Sequence, residues 1–154
     1  PGWWPLNPQG SFNPDVFKTI KRGEPLVLPN SGLETVHHVH ADDLAQGFLK
    51  ALENWSVSVG ESFHLTSPKA LSLRGYAEAI YSWFGMEPNL EFLPWEELKM
   101  KVSSEDAFFI WDHIGHSPCC SIEKAERLLG YSPRYSSLQA VYESLTWMER
   151  SGEL

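Results

Sequence analysis

Apolar residues return every three to four positions along several stretches of the chain, and in short blocks between them. Val16, Phe17 and Ile20 form one helical face, after Asn13-Pro14 in cap and first-turn positions and before Gly23 as a stop. Leu44, Ala45, Phe48, Leu49 and Leu52 repeat the helical spacing, with Asp42 or Asp43 placed to cap that helix. Ser72 opens a third helix carrying Leu73, Tyr76, Ala77, Ile80 and Phe84, which Gly85 ends. Ser121 caps a short helix with Ile122, Ala125, Leu128 and Leu129, closed by Gly130. Ser136 and Gln139 form a capping box for a last helix with Leu138, Val141, Tyr142, Leu145 and Met148 on its apolar face.

Four blocks read as short strands: 25–28, 35–40, 61–66 and 90–93, the last ended by Pro94. In the second, period-two geometry puts Val36, His38 and His40 on one face and Thr35, His37 and Val39 on the other. Pro29 to Gly32 is a turn, and residues 1–13, with Pro1, Pro5, Pro8, Gly2 and Gly10, are loop chemistry. Residues 95–111 are helical in composition but poorly periodic. The expected class is α/β, mixed and helix-rich, with short strands. Phe63-His64-Leu65 needs partner strands that this chain hardly supplies, and an unpaired strand edge is a liability. Part of the chain is therefore expected to complete another sheet.

Composition narrows the function classes. The 154 residues are one domain's worth, 42% hydrophobic and 21% charged, so the chain is neither disordered nor fibrous. No apolar run approaches the roughly 18 residues of a membrane span, and no secretory leader is visible. Twelve Lys and Arg against 20 Asp and Glu leave a net charge of −8. Nucleic acid is thus an unfavoured partner, because affinity for phosphate backbones comes mostly from cationic side chains. The two cysteines, Cys119 and Cys120, are adjacent, so a disulfide between them is disfavoured. A reducing, cytoplasmic setting is expected.

Several motifs, taken in order, resemble the C-terminal half of the extended short-chain dehydrogenase/reductases, the NAD(P)-dependent nucleotide-sugar epimerases and dehydratases. Pro1-Gly2 is similar to the end of that family's Gly-Pro-Gly segment, and Arg22-Gly23-Glu24-Pro25 to its Arg-Gly-x-Pro stretch. Val39-His40-Ala41-Asp42-Asp43-Leu44-Ala45 resembles its His-Val-Asp-Asp-Val-Ala pattern. Asp112-His113-Ile114-Gly115-His116 resembles a dehydratase Asp-Arg-Pro-Gly-His segment, and Leu129 to Pro133 the terminal Leu-Gly-Tyr-x-Pro signature. The family's Gly-x-x-Gly-x-x-Gly dinucleotide loop and its Tyr-x-x-x-Lys pair are not found in these residues.

The resemblance implies that residues 1–154 are the substrate-binding C-terminal portion of an epimerase or dehydratase, with the N-terminal Rossmann half missing. NAD or NADP would belong to the parent protein, and none is expected on the fragment, which should be inactive alone. It also implies a nucleotide-sugar-like ligand. Asn7 and Phe12 in the opening loop, His37 and His38 on the 35–40 block, and His113 and His116 in the late motif are the candidate substrate-binding residues. Phe12, with Trp3 and Trp4, could equally pack on the missing half. Two family positions that carry phosphate-binding arginines fall here at about Val36 and at His113. That departure suggests a divergent substrate. The other reading is a non-catalytic binding module for RNA or a protein partner.

Smaller readings complete the picture. His38 and His40 share a face, and His113 and His116 have metal-like spacing, but no metal is expected. His40 is expected to be buried and hydrogen-bonded behind the helix cap. Apolar surface left open toward the missing half should make the isolated piece a homo-oligomer.

Overall fold

The computed structural model describes residues 14–154. Asn7, Phe12, Trp3, Trp4 and the Asn13 cap lie outside them. Helix α1 (Pro14–Lys21) ends at Gly23, whose φ of 72° lies in the left-handed region that glycine enters freely. Strand β1 (Leu26–Pro29) follows, then a turn in which the Gly32 N–H donates to the Pro29 carbonyl at 2.9 Å. Strand β2 (Thr35–Val36), helix α2 (Ala41–Glu53) and the single turn α3 (Trp55–Ser58) come next. Strand β3 (Leu71–Ser72) runs directly into α4 (Leu73–Trp83), and β4 (Leu90–Leu93) leads to the short α5 (Trp95–Leu98). Three helices finish the chain: α6 (Ser104–His116), α7 (Glu123–Leu129) and α8 (Ser137–Ser151).

The strands form two separate pairs. β1 and β4 are parallel, with Leu26 opposite Leu90 and Pro29 opposite Leu93. β2 and β3 are antiparallel, with Thr35 opposite Ser72 and Val36 opposite Leu71. The main core lies between α1, α4 and α8. Phe17 and Ile20, Ile80 and Tyr81, and Val141, Leu145 and Met148 are all essentially sealed from solvent. Burying each such side chain contributes roughly 1.5–3 kcal/mol. The Tyr81 hydroxyl, carried into this core, donates to the Asn89 carbonyl at 2.8 Å and so holds α4 against the start of β4. A second, smaller cluster joins Ile122, Ala125, Leu129 and Tyr131 to Ala51, Phe63 and Leu65.

Several local expectations are corrected. The 35–40 strand shrinks to Thr35–Val36, because β3 offers only two residues to pair with. Its alternation survives without the ladder: Val36, His38 and His40 are buried, while Thr35, His37 and Val39 are half-buried. Residues 61–66 form no strand at all, having no neighbouring strand among the described residues. The 95–111 region is two helices with a break at residues 99–103, which accounts for its poor periodicity. The α2 cap is neither Asp42 nor Asp43. His40 caps it, its Nδ1 accepting the Asp42 N–H at 3.1 Å. The Ser136–Gln139 capping box forms as expected. At α7 the capping position itself is Ile122, with the Ser121 hydroxyl accepting the Glu123 N–H at 3.3 Å.

Asp43 has a different task. Its carboxylate is buried and accepts the backbone N–H groups of Arg134 and Tyr135, each at 3.0 Å. Charge-assisted bonds of this kind are stronger than neutral ones. They tie the start of α2 to the chain entering α8. Gly47, one turn further along the same face, packs so closely on Leu65 that a Cβ would sit 2.4 Å from its Cδ1.

Candidate functional site

The residues leading out of β2 carry two of the candidate histidines, and the end of α6 with the loop after it closes over them. The Thr35 N–H donates to the Ser117 hydroxyl at 3.0 Å, and the Thr35 hydroxyl to the Pro118 carbonyl at 2.9 Å. Ser117 can serve there because it ends α6 in the left-handed region, with φ of 41°. These bonds set α6, and with it His113, against the β2 segment.

His37 is fixed at both ring nitrogens. Nδ1 accepts the Cys120 N–H at 3.1 Å, so the proton sits on Nε2, which donates to the Ser67 carbonyl at 2.8 Å. The ring therefore bridges the segments around 67 and 120. His38 is buried beside the Tyr76 ring, with centroids 5.6 Å apart. Its main chain is held by Ser67, whose N–H donates to the His38 carbonyl at 3.0 Å. The His38 N–H in turn donates to the Ser137 hydroxyl at 3.3 Å. Burial pushes the His38 imidazole down to about 4, and the nearby His113 and His37 push it the same way. His113 is also lowered, chiefly by burial, against the opposing pull of Asp112 and the Thr35 backbone. Its Nε2 is buried with no hydrogen-bond partner among the described residues.

The structure thus gathers His37, His38 and His113 into one imidazole cluster, in which His38 and His113 are held below the usual imidazole range. His116 lies outside it, exposed on the last turn of α6 beside Asp112. Ser67, Ser137, Tyr76 and Cys120 complete the surroundings. No local spacing announces them, because their contacts to His37 and His38 are brought about by folding across tens of residues. Among the described residues, no three His, Cys, Asp or Glu side chains converge in a way that could hold a metal ion.

His40 stands apart from this cluster, buried as expected. With Nδ1 accepting the Asp42 N–H, its Nε2 carries the proton and donates to the Glu143 carboxylate. Its ring stacks on Tyr135 at 3.9 Å. One ring nitrogen caps α2 and the other holds that helix on α8. The Tyr131 phenol, raised to about 12 by burial and then by Asp43, donates to the Thr66 carbonyl at 3.0 Å. No helix among the described residues is long and apolar enough to cross a membrane.

The fold is that of the C-terminal portion of the NAD-dependent epimerases and dehydratases of the extended short-chain dehydrogenase/reductase type. An epimerase from Methanothermobacter thermautotrophicus superposes on 91% of this chain with a TM-score of 0.67 and 21% identity. The dTDP-glucose 4,6-dehydratase of Bacillus anthracis, solved with NAD, covers 94% with a TM-score of 0.66 and 18% identity. In sequence, the chain is 29% identical over 143 residues to the chloroplast stem-loop binding protein of 41 kDa b of Arabidopsis thaliana, which covers 91% of it. The chain spans only 37%, 42% and 35% of these three proteins. No protein-family model matches it.

Proposed function

We propose that this chain is the substrate-facing portion of an NAD- or NADP-dependent epimerase or dehydratase, acting against a dinucleotide-binding Rossmann half that carries the cofactor. The ligand is a carbohydrate or nucleotide sugar gripped mainly through its hydroxyl groups. The buried, unpartnered Nε2 of His113 carries this reading, since buried polar atoms in native proteins almost always find a partner. A sugar hydroxyl can both donate and accept, so it suits a neutral imidazole in either tautomer. A diphosphate is served less well. His38 and His113 resist protonation, and Val36 is buried and apolar. The Rossmann half is supported by the share of each relative that this chain spans and by the open apolar face of α2.

The test is a titration of the chain with glucose, UDP-glucose and UDP, followed by the imidazole resonances in NMR spectra. Both glucosyl ligands are expected to shift the His38 and His113 signals, and His113→Ala to abolish the shift at His38. Equal shifts with UDP alone, or none with any ligand, would refute the hydroxyl-binding site.

RNA binding is the second reading, favoured by the similarity to a stem-loop binding protein. The net charge of −8 opposes it. Gel shifts with a structured RNA separate the two, because phosphate contacts weaken steeply as salt rises.

A further inference from the structure

Away from the histidine cluster, the exposed side of α8 meets the end of α4 in an open groove lined by Trp83, Tyr135, Leu138, Gln139, Tyr142 and Glu143. Trp83 and Tyr142 form adjoining walls, with ring centroids 5.1 Å apart and planes inclined at 62°. Tyr142 is about half exposed, although it lies on the helix face that the sequence assigns to the core.

We propose that this groove binds a small quaternary-ammonium cation, such as a choline-type headgroup. Two features select that occupant. Rings inclined to one another cannot both stack on a flat sugar face, whereas a rounded cation in their corner touches both π-faces. The groove also holds a net negative charge. The Glu143 carboxylate is half exposed, and among the described residues its only cation-type partner is the His40 ring, whose Nδ1 already accepts the Asp42 N–H. The nearby cation, the Arg134 guanidinium 5.4 Å from the Tyr135 centroid, lies 3.5 Å from both Asp42 and Asp43, which offset it. Tyr135 is already committed to His40 and Arg134, so it acts as an end wall. Trp83 and Tyr142 are the cation platforms, and Glu143 supplies the countercharge.

The experiment is calorimetric titration of the chain with choline and with its neutral isostere 3,3-dimethylbutan-1-ol. Choline is expected to bind saturably and the isostere at least about tenfold more weakly. Tyr142→Ala is expected to weaken choline about tenfold, because it removes one platform from an exposed position. Glu143→Gln, which keeps an acceptor for His40, should weaken choline while lowering the thermal unfolding midpoint only slightly, because a neutral amide replaces the carboxylate that clamps His40. Equal binding of the isostere would make the groove merely apolar and overturn the proposal. So would absence of saturable choline binding, unchanged affinity in Tyr142→Ala, or binding of glucose in place of choline.

Discussion

The two sides of this molecule use amphipathic helices in opposite ways. In α1, α4 and α8 the apolar face meets two other apolar faces and its centre is sealed: Phe17, Ile20, Ile80 and Val141 are without solvent contact. In α2 the apolar face is turned outward. Phe48, Leu49 and Leu52 are each about 60% exposed, and Trp55 on α3 continues the patch at 65%. What α2 buries is Asp43 and Gly47. A stripe at helical spacing ordinarily faces a core, but here orientation is decided by stronger and more specific contacts. The Asp43 carboxylate takes two backbone N–H groups from the chain entering α8, His40 is clamped to Glu143, and Gly47 admits Leu65 at close range. Those three attachments lie on one side of the helix and turn the apolar stripe to the other. Periodicity therefore reveals that a face is apolar without revealing what covers it.

The sharpest way to break this contrast is to cut into each side. Phe17→Ala removes a fully buried ring from the sealed core and should cost about 4 kcal/mol, read as a lower urea midpoint at constant slope. A destabilisation below about 1 kcal/mol would mean that the three-helix core is not the stability centre described here.

The next largest effect belongs to the histidine cluster. The folded state holds His38 at about 4 against an unfolded value near 6.5. The unfolded chain thus takes up the proton first as the solution is acidified. Stability present above about pH 6.5 is then lost progressively as pH falls toward 4, by roughly 3 kcal/mol in all. His113, lowered by the same cause, adds in the same direction. Urea midpoints measured between pH 7.5 and 4.5 should show the decline, and His38→Phe should flatten it. An unflattened profile would assign the acid sensitivity to other groups.

The smallest effect on stability is expected on the open side. Changing Phe48 and Leu52 to Ser should alter stability by no more than about 0.5 kcal/mol each. The same changes should reduce self-association by light scattering, since a contiguous apolar patch favours contact between copies. A large loss of stability would show that α2 is covered within the chain after all.

Much of the local structure was legible in the residues themselves. Ser72, Ser136-Gln139, Gly23 and Gly130 mark helix ends by backbone hydrogen bonding and left-handed geometry, which depend on neighbours a few positions away. The alternation of Val36, His38 and His40 into the interior was legible for the same reason. So were the ordered motifs whose resemblance pointed to a fold that the structure bears out. The strand expected at 61–66 was not decided locally, because a strand needs a partner that its own residues do not specify. The α2 cap differs from the expected aspartate because a histidine takes the place of the usual small polar residue.

The sequence by itself determined where most helices begin and end and which faces are apolar, since those properties arise within three or four residues. Only the tertiary structure decided that His37 and His38 meet His113, Ser67, Ser137 and Cys120. It alone decided that the apolar face of α2 is left open. Both outcomes depend on contacts spanning tens of residues, whose free energies come from burial and from hydrogen bonds that no local spacing encodes.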